Sequence, residues 1–565
     1  MSATHRDLVV IGGGPAGSTL ATLVKKYHPG RRVLLAERAV FPRHHVGETL
    51  LPELVPILKE LGAFEKIDGA GFPKKLGATY VWGRDRTPWD ADFVDIQKFL
   101  LGAGSGTYAW QVRRSRYDQI LLDHARESGV EVLEGWAAVG IREEKGRIAG
   151  VSLKGPNDEE MELSCDFVAD CSGQGAFLSR FRPFRRHNEK LKNMAGYAYF
   201  RGAPWKFQYV GHPDKTRSFI CNAANGTFWY IPIAADLVSV GFVTSQENYK
   251  KSGGDFRALF RDSLRACDEL WSTLKDAEWV QDFDGTGQDF FVQNDWSYLN
   301  DYSAGEGWVA AGDAAVFVDP ILSSGVTLAH LSAHRAAYML GALWEEPDPA
   351  VRRALTDDYS SFYREAASAF LAMAVYWYDA SANPEGWWAL ARKTVDLPYI
   401  SDKDAFIMVA AGFASLYERV HTVRSLLLDG SAGNVPFLKN VLGGHPGMEA
   451  AARAPIPDAA RPRLLYPVES RASFLPIAGT GRMKPVRMVC FQKTPAADPL
   501  LASLNPRRLL VGPQAAILDS IDGRRSVAEL RAAAMAESGL GAGAAGDLVT
   551  RFLRDLIVAQ VVELA

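Results

Sequence analysis

The sequence predicts an α/β protein. A Rossmann-like nucleotide-binding domain carries an inserted antiparallel β region, and a helical C-terminal part follows. Three observations lead there. Residues 7–11 (DLVVI), the turn GGGPAG, the apolar stretch STLATLVKK and RRVLLAE at 31–37 read as strand, glycine turn, helix, strand. Residues 207–245 read as antiparallel β with turns at AANGTF and AAD. From 350 to 445 the chain turns helix-rich and aromatic (YSSFYREAASAFLAMAVYWYD, GWWALARK).

In chain order, KLGATYVWG at 75–83 is extended in character, and residues 130–200 alternate short strands with turns. CDFVADCSGQG at 165–175 contains a strand end. WVAAGDAA at 308–315 reads as a strand entering a loop, and 325–345 as a helix. Residues 451–510 hold ten Lys/Arg against three Asp/Glu and several prolines, which predicts an irregular, basic wrapping segment. AAILDSIDGRRSVAELRAAA and GDLVTRFLRDLIVAQVVEL then predict a small helical, winged-helix-like unit ending in a β-like VVEL. The divisions are 1–345, 346–450 and 451–565.

Composition bounds the function. With 565 residues the chain exceeds one small core. Lys+Arg 63 against Asp+Glu 66 gives −3, which argues against a mainly nucleic-acid-binding or polybasic membrane protein. Five scattered cysteines without a CxxC pair fit a reducing cytosol and no structural zinc. No apolar run reaches the roughly 18 residues of a membrane helix. MSATHRDLVV runs straight into a strand and leaves no room for a signal peptide, so a cytoplasmic location is expected.

Gly12, Gly14 and Gly17 form GxGxxG after a strand and opening a helix. The first permits a tight turn, the second a close approach to a pyrophosphate, and the third close helix–strand packing. Glu37, 20 residues after Gly17, stands where a carboxylate holds a ribose hydroxyl. Asp313 in AAGDAAVFVDP, followed by SSGVTLAHL, favours FAD over NAD: a carboxylate there can bind ribityl hydroxyls while backbone N–H groups meet a flavin ring or an anion.

GxGxxG, Glu37 and GDAA with its trailing DP are together similar to the pattern of the FAD-dependent aromatic hydroxylase superfamily, and DCSG at 170–173 resembles its middle FAD motif. FPRHHVGETLLP at 41–52 resembles the FPRxxVGES stretch of flavin-dependent halogenases, and GFPKKLGATYVWG at 71–83 resembles the segment carrying their catalytic lysine. Lys75 is the match; Lys74 would point to the opposite face of an extended strand. The WxWxIP signature appears as Thr227-Phe228-Trp229-Tyr230-Ile231-Pro232, keeping the second Trp, the Ile and the Pro. Where tryptophan halogenases carry a Glu–Ser pair, this chain has Leu322 and Ser323, so it resembles the branch acting on phenolic or pyrrolic groups, free or tethered to an acyl or peptidyl carrier protein. Tyr376, Trp377, Tyr378 and GWWALARK resemble the FWxARK-type segment of that branch.

The resemblance implies a halogenase in which FADH2 from a separate flavin reductase, with O2 and chloride, yields hypochlorous acid. It assigns the cofactor to Gly12, Gly14, Ala16, Gly17, Glu37, Arg43, Gly47, Glu48, Arg114 and Asp313. Asp295 is a candidate covalent tether for the flavin, an ordinary turn aspartate being the simpler account. Chloride is expected at the backbone N–H groups near Ser324 and Gly325. Lys75 receives the oxidant through a tunnel, Ser323 positions oxidant or substrate, and Trp229 separates the flavin and substrate regions. The rivals are an NAD(P)H-dependent FAD monooxygenase and a flavin-bound, non-catalytic binding module. Residues 511–565, at −2, match phosphate binding poorly, whereas the +7 of residues 451–510 would attract an acidic carrier.

Overall fold

The structure is a computed structural model and describes residues 4–82, 86–93, 108–209, 212–379, 383–395, 401–412, 454–494, 505–510 and 512–565. Strand β1 (Thr4–Ile11), helix α1 (Pro15–Tyr27) and strand β2 (Val33–Glu37) form the predicted opening unit. β1 pairs in parallel with β2 on one side and with the strand Glu160–Asp170 on the other; strands Glu131–Glu134 and Trp308–Ala310 extend the parallel order outward. All five residues of β2 are buried, which is why it reads as a continuous apolar run.

A second sheet is inserted between strands of the first. It includes β3 (Lys74–Val81), β4 (His212–Ala223) and β5 (Gly226–Ala234), together with strands Leu237–Ser245, Arg185–Arg201 and Phe291–Asn300. Neighbours along it are antiparallel except for β3 and β4, which run parallel. One face packs Phe219, Phe228 and Phe242 against Phe260 of helix Phe256–Arg265 and under the next helix, Asp268–Leu274. The other face looks toward the parallel sheet and a set of aromatic residues.

Helix α2 (Arg114–Glu127) packs beside α1. Two long helices follow the second sheet: α3 (Gly325–Glu345), the predicted helix, which packs on α1, and α4 (Pro349–Trp377). Helices Pro384–Val395 and Asp402–Ala410 complete the aromatic part among the described residues; 413–453 lie outside them. No described helix is long and apolar enough to cross a membrane.

The tail corrects one expectation. In place of an irregular basic segment there is an antiparallel sheet of β6 (Val468–Ile477), β7 (Arg482–Phe491) and β8 (Arg507–Leu510). Several of the charges that suggested wrapping sit on these strands and meet acids elsewhere in the chain. Arg471 donates to both oxygens of Glu365 at 2.6 and 3.0 Å, Arg508 Nε to Asp555 at 3.0 Å, and Arg487 to Asp519 at 2.6 Å. Three helices follow, Gln514–Asp519, Val527–Ser538 and Ala542–Val558, the second opened by a Ser526–Glu529 capping box. The final strand, Val562–Leu564, pairs with Pro462–Leu464. The tail docks on α3 and α4: Ser473 Oγ donates to Asp358 at 2.6 Å, and Arg335 reaches both Asp358 (3.0 Å) and the Phe474 carbonyl.

Candidate active site

The glycine turn is sterically compulsory at two places. Gly12 has φ +105°, and a Cβ there would lie 2.3 Å from the Cys171 carbonyl oxygen; a Cβ on Gly17 would lie 1.8 Å from the Gly12 oxygen. At Gly14 the nearest heavy atom to an added Cβ is an Arg43 guanidinium nitrogen at 3.4 Å, so this glycine faces open space. Glu37 is fixed at the rim: Gly13 N donates to one carboxylate oxygen at 2.7 Å and Ala39 N to the other at 2.9 Å.

That open space is a cavity of about 560 Å³ at the carboxyl ends of the parallel strands, walled on one side by the second sheet. The volume lies within the ordinary range for ligand pockets, and the position is the one open α/β sheets use for ligands. Gly12, Gly14, Ala16, Glu37 and Arg43 line one part of it; Gly47, Glu48, Arg114 and Asp313 line another. Trp229, Ser323 and Gly325 also line it. Lys75, Gly17 and Ser324 are not among its lining residues. Asp295 sits on strand Phe291–Asn300 opposite Asn193, and its side chain lies outside the described ones.

Arg114 is bidentate to Asp118 (2.8 and 2.9 Å) and donates to the Val46 carbonyl at 2.6 Å, pinning the Phe41–Pro52 segment against α2. Asp118 also lies 3.5 Å from Arg43. This aspartate escaped the sequence reading; its only signal there was the i,i+4 spacing from Arg114. His330 was missed too. It sits 2.8 Å from both Thr19 Oγ1 and Tyr117 OH, and burial pushes its pKa down to about 3, so it is neutral. Burial raises Asp313 to about 6 and Glu48 to about 7. Tyr199 OH donates to Glu48 Oε1 at 2.8 Å, while Oε2 has no hydrogen-bond partner among the described residues.

At the far end, Asp319 accepts from Ile321 N (3.0 Å), Asn193 (3.2 Å) and Tyr378 OH (3.1 Å), which shapes the turn Pro320–Leu322. Ser323 then takes a left-handed φ of +58°. Ser324 is fully buried, its Oγ without a partner among the described residues, and Gly325 opens the 21-residue α3, whose first amides lack intrahelical acceptors. Leu322 is buried in the apolar cluster that includes Tyr80 and Trp377.

Lys75 owes its direction to a β-bulge. Lys75 pairs with Thr216 and Ala78 with Ser218, so three steps on β3 answer two on β4. The extra residue turns Lys75 onto the face of Ala78 and Tyr80. The side chain is 2% exposed, with Nζ 5.4 Å from the Phe93 ring centroid. Burial alone lowers its pKa from 10.5 to about 7. Lys74 instead reaches Asp68 at 3.3 Å and the Tyr108 ring. Thr49, which lines the cavity, is bonded at 2.9 Å to Ser218, two residues from Thr216 on the Lys75 face.

The departure at Thr227 is absorbed locally: Trp377 Nε1 donates to its hydroxyl at 3.0 Å, and that hydroxyl donates to Asn222 at 2.6 Å. Trp229 is anchored by its Nε1, which donates to Ser239 Oγ at 3.2 Å. Over the same face Trp82 stacks on Trp377 (centroids 4.7 Å apart) and Tyr80 on Trp89 (4.6 Å), while Trp387 tilts against Phe406 (4.4 Å).

The chain is similar to several known proteins. Residues 7–103 and 100–418 match the sequence profile of the family described as tryptophan halogenase. A tryptophan 2-halogenase of Chondromyces crocatus is 30% identical over 421 residues, 72% of this chain and 76% of that protein. A 1H-pyrrole-2-carbonyl peptidyl-carrier-protein chlorinase of Pseudomonas fluorescens is 32% identical over 361 residues, 60% of this chain and 76% of that protein. Among solved structures, the myxobacterial chondrochloren halogenase CndH, a variant of FAD-dependent halogenases, is 29% identical with a TM-score of 0.61, covering 78% of this chain and 97% of its own. CmlS, a flavin-dependent halogenase, shares the fold over 99% of this chain and 96% of its own, with a TM-score of 0.70 at 23% identity. The shared fold therefore extends through the tail.

Proposed function

The chain belongs to the tryptophan halogenase family of flavin-dependent halogenases, and from that premise we propose that it makes hypochlorous acid near the N-terminus of α3 and uses it at Lys75 to halogenate a phenolic or pyrrolic ring. The observation that carries this reading is Lys75 itself. A lysine 2% exposed, drawn to a pKa of about 7 by burial alone, is costly to keep and needs a chemical reason.

The residues present fit FAD. Gly14 opens onto the cavity, Glu37 is held for a ribose, Arg43 offers charge to phosphates, and Asp313 faces the end nearest α3. Bound and reduced, the flavin would supply with O2 the oxidising equivalents that convert chloride to hypochlorous acid. The protein's own part is to bind and orient. The orphaned Ser324 hydroxyl and the first amides of α3 offer donors to a halide. Lys75 near neutrality populates both forms: an ammonium that donates to the oxidant's oxygen, and an amine that accepts halogen. Ser323 orients oxidant or substrate, Trp229 stands between the two regions, and the tryptophan cover keeps water from the oxidant.

Leu322 supports a ring activated by its own hydroxyl or ring nitrogen, because no carboxylate stands in that place to assist. The pyrrole-directed chlorinase among the relatives is consistent with a carrier-tethered substrate. Arg471, however, is paired with Glu365 of α4, and Arg487 and Arg508 with Asp519 and Asp555 of the tail, which weakens residues 451–510 as a docking surface for an acidic carrier. A separate reductase would deliver the reduced flavin. The deciding experiment incubates candidate phenols and carrier thioesters with the protein, a flavin reductase, NADH and halide, and reads products by mass spectrometry. A halide-dependent mass shift is expected; hydroxylation without one would favour an FAD monooxygenase.

A further inference from the structure

Two cysteines that the halogenation chemistry does not use lie together on the back of the second sheet. Cys221, on β4 opposite Val81 of β3, and Cys267, between helices Phe256–Arg265 and Asp268–Leu274, have sulfurs 3.6 Å apart. Both are buried, at 0% and 3% exposure. Arg86 Nη2 lies 3.5 Å from Cys221 Sγ and 2.6 Å from Glu269, whose other carboxylate oxygen lies 3.5 Å from Cys267 Sγ. The Arg86 and Glu269 side chains are 41% and 31% exposed.

We infer that Cys221 and Cys267 form a redox-active pair, a reversible oxidation site that closes to a disulfide on meeting a peroxide. Closure needs the sulfurs to approach to about 2.05 Å, a small displacement for side chains already in contact. Burial pushes the Cys165, Cys171 and Cys490 thiols up, whereas the Arg86 guanidinium 3.5 Å from Cys221 Sγ favours a thiolate in the pair. One thiolate of the pair attacks one oxygen of hydrogen peroxide, the O–O bond breaks, and sulfenic acid forms with release of hydroxide, which takes up the thiol proton as water. The second sulfur then attacks that sulfur; the S–S bond forms, the S–O bond breaks, and a second water leaves. Two thiols and one peroxide give one disulfide and two waters, the sulfurs losing two electrons. Cys221, Cys267 and Glu269 could also present three metal ligands, but the Arg86 guanidinium beside them opposes a divalent cation.

The test treats the full-length protein with a slight excess of hydrogen peroxide, alkylates remaining thiols in denaturant and maps peptides by mass spectrometry. A single Cys221–Cys267 cross-link is expected, cleaved by dithiothreitol, with Cys165, Cys171 and Cys490 still alkylated. Cys267→Ser should abolish it; because the mapping is made on the unsubstituted protein, the outcome does not depend on that variant folding. Oxidation of Cys267 to the sulfinic acid with Cys221 still alkylated, a cross-link through any other cysteine, or stoichiometric bound zinc that is lost in Cys267→Ser would each overturn the inference.

Discussion

Replacing Lys75 by methionine keeps a long unbranched side chain and removes the ammonium. In the folded protein the amine is 2% exposed, and burial lowers its pKa from 10.5 to about 7. That fall corresponds to about 5 kcal/mol of penalty on the protonated form. The unfolded chain keeps its proton up to about pH 10.4, while the folded protein releases it near 7, so between those values the unfolded state binds more protons and wild-type stability rises with pH. Lys75→Met carries no such term, and the slightly smaller side chain costs under about 1.5 kcal/mol. The variant should therefore exceed wild type by about 3–5 kcal/mol near pH 6 and by about 2 kcal/mol or less near pH 9. Urea unfolding followed by circular dichroism at both values measures the gap. The same protein should form no halogenated product while reduced flavin is still reoxidised by O2. A stability gap that is absent, or that does not shrink as pH rises, refutes the burial argument; chlorination that persists refutes the role of Lys75.

Four further outcomes are expected. Gly17→Ala forces a Cβ to within 1.8 Å of the Gly12 oxygen and should weaken FAD binding at least about tenfold, read by equilibrium dialysis. Ser324→Ala removes the buried, unpartnered hydroxyl proposed to serve the halide and should raise the halide KM up to about tenfold while FAD affinity stays the same. Thr227→Val strips the Trp377 indole of its acceptor and should cost about 1–2 kcal/mol in denaturant titration. Burial opposes the ionised form of Glu365, but Arg507 and Arg471 outweigh it and hold the carboxyl below 4.5; its contribution is present above that value and is lost as pH falls through the folded value. Glu365→Gln should thus flatten the acid limb of the stability profile, measured by thermal unfolding across a pH series.

The legible parts of the molecule were those dictated by local backbone chemistry. Gly12 and Gly17 announce a turn that no other residue fits, Glu37 follows at the distance one crossover helix sets, and α3 starts at Gly325 where the glycine and the apolar run place it. Lys75 was found by likeness to a family segment, but its burial depends on a bulge that pairing with β4 creates, and pairing over so many residues leaves no local signal. Asp118 and His330 were passed over because a charge in a helix reads as a solvated face until its arginine, or its Thr19 and Tyr117, arrive from elsewhere. The tail misled for the opposite reason: Arg471 and Arg508 read as free basic charge because Glu365 and Asp555 lie far along the chain.

The contact between Arg335 and Asp358 has an evolutionary consequence. Asp358 sits in the catalytic part of the chain, yet it accepts from Ser473 Oγ and from Phe474 N, 116 residues onward. Without the tail the pair would lose the Ser473 hydroxyl, the Phe474 amide and the Phe474 carbonyl and lie open to water, where an arginine–aspartate contact is worth only about 0–1 kcal/mol. Selection would then hold the pair weakly: in related chains that end after α4 the two positions should drift, whereas chains that keep the tail should keep both.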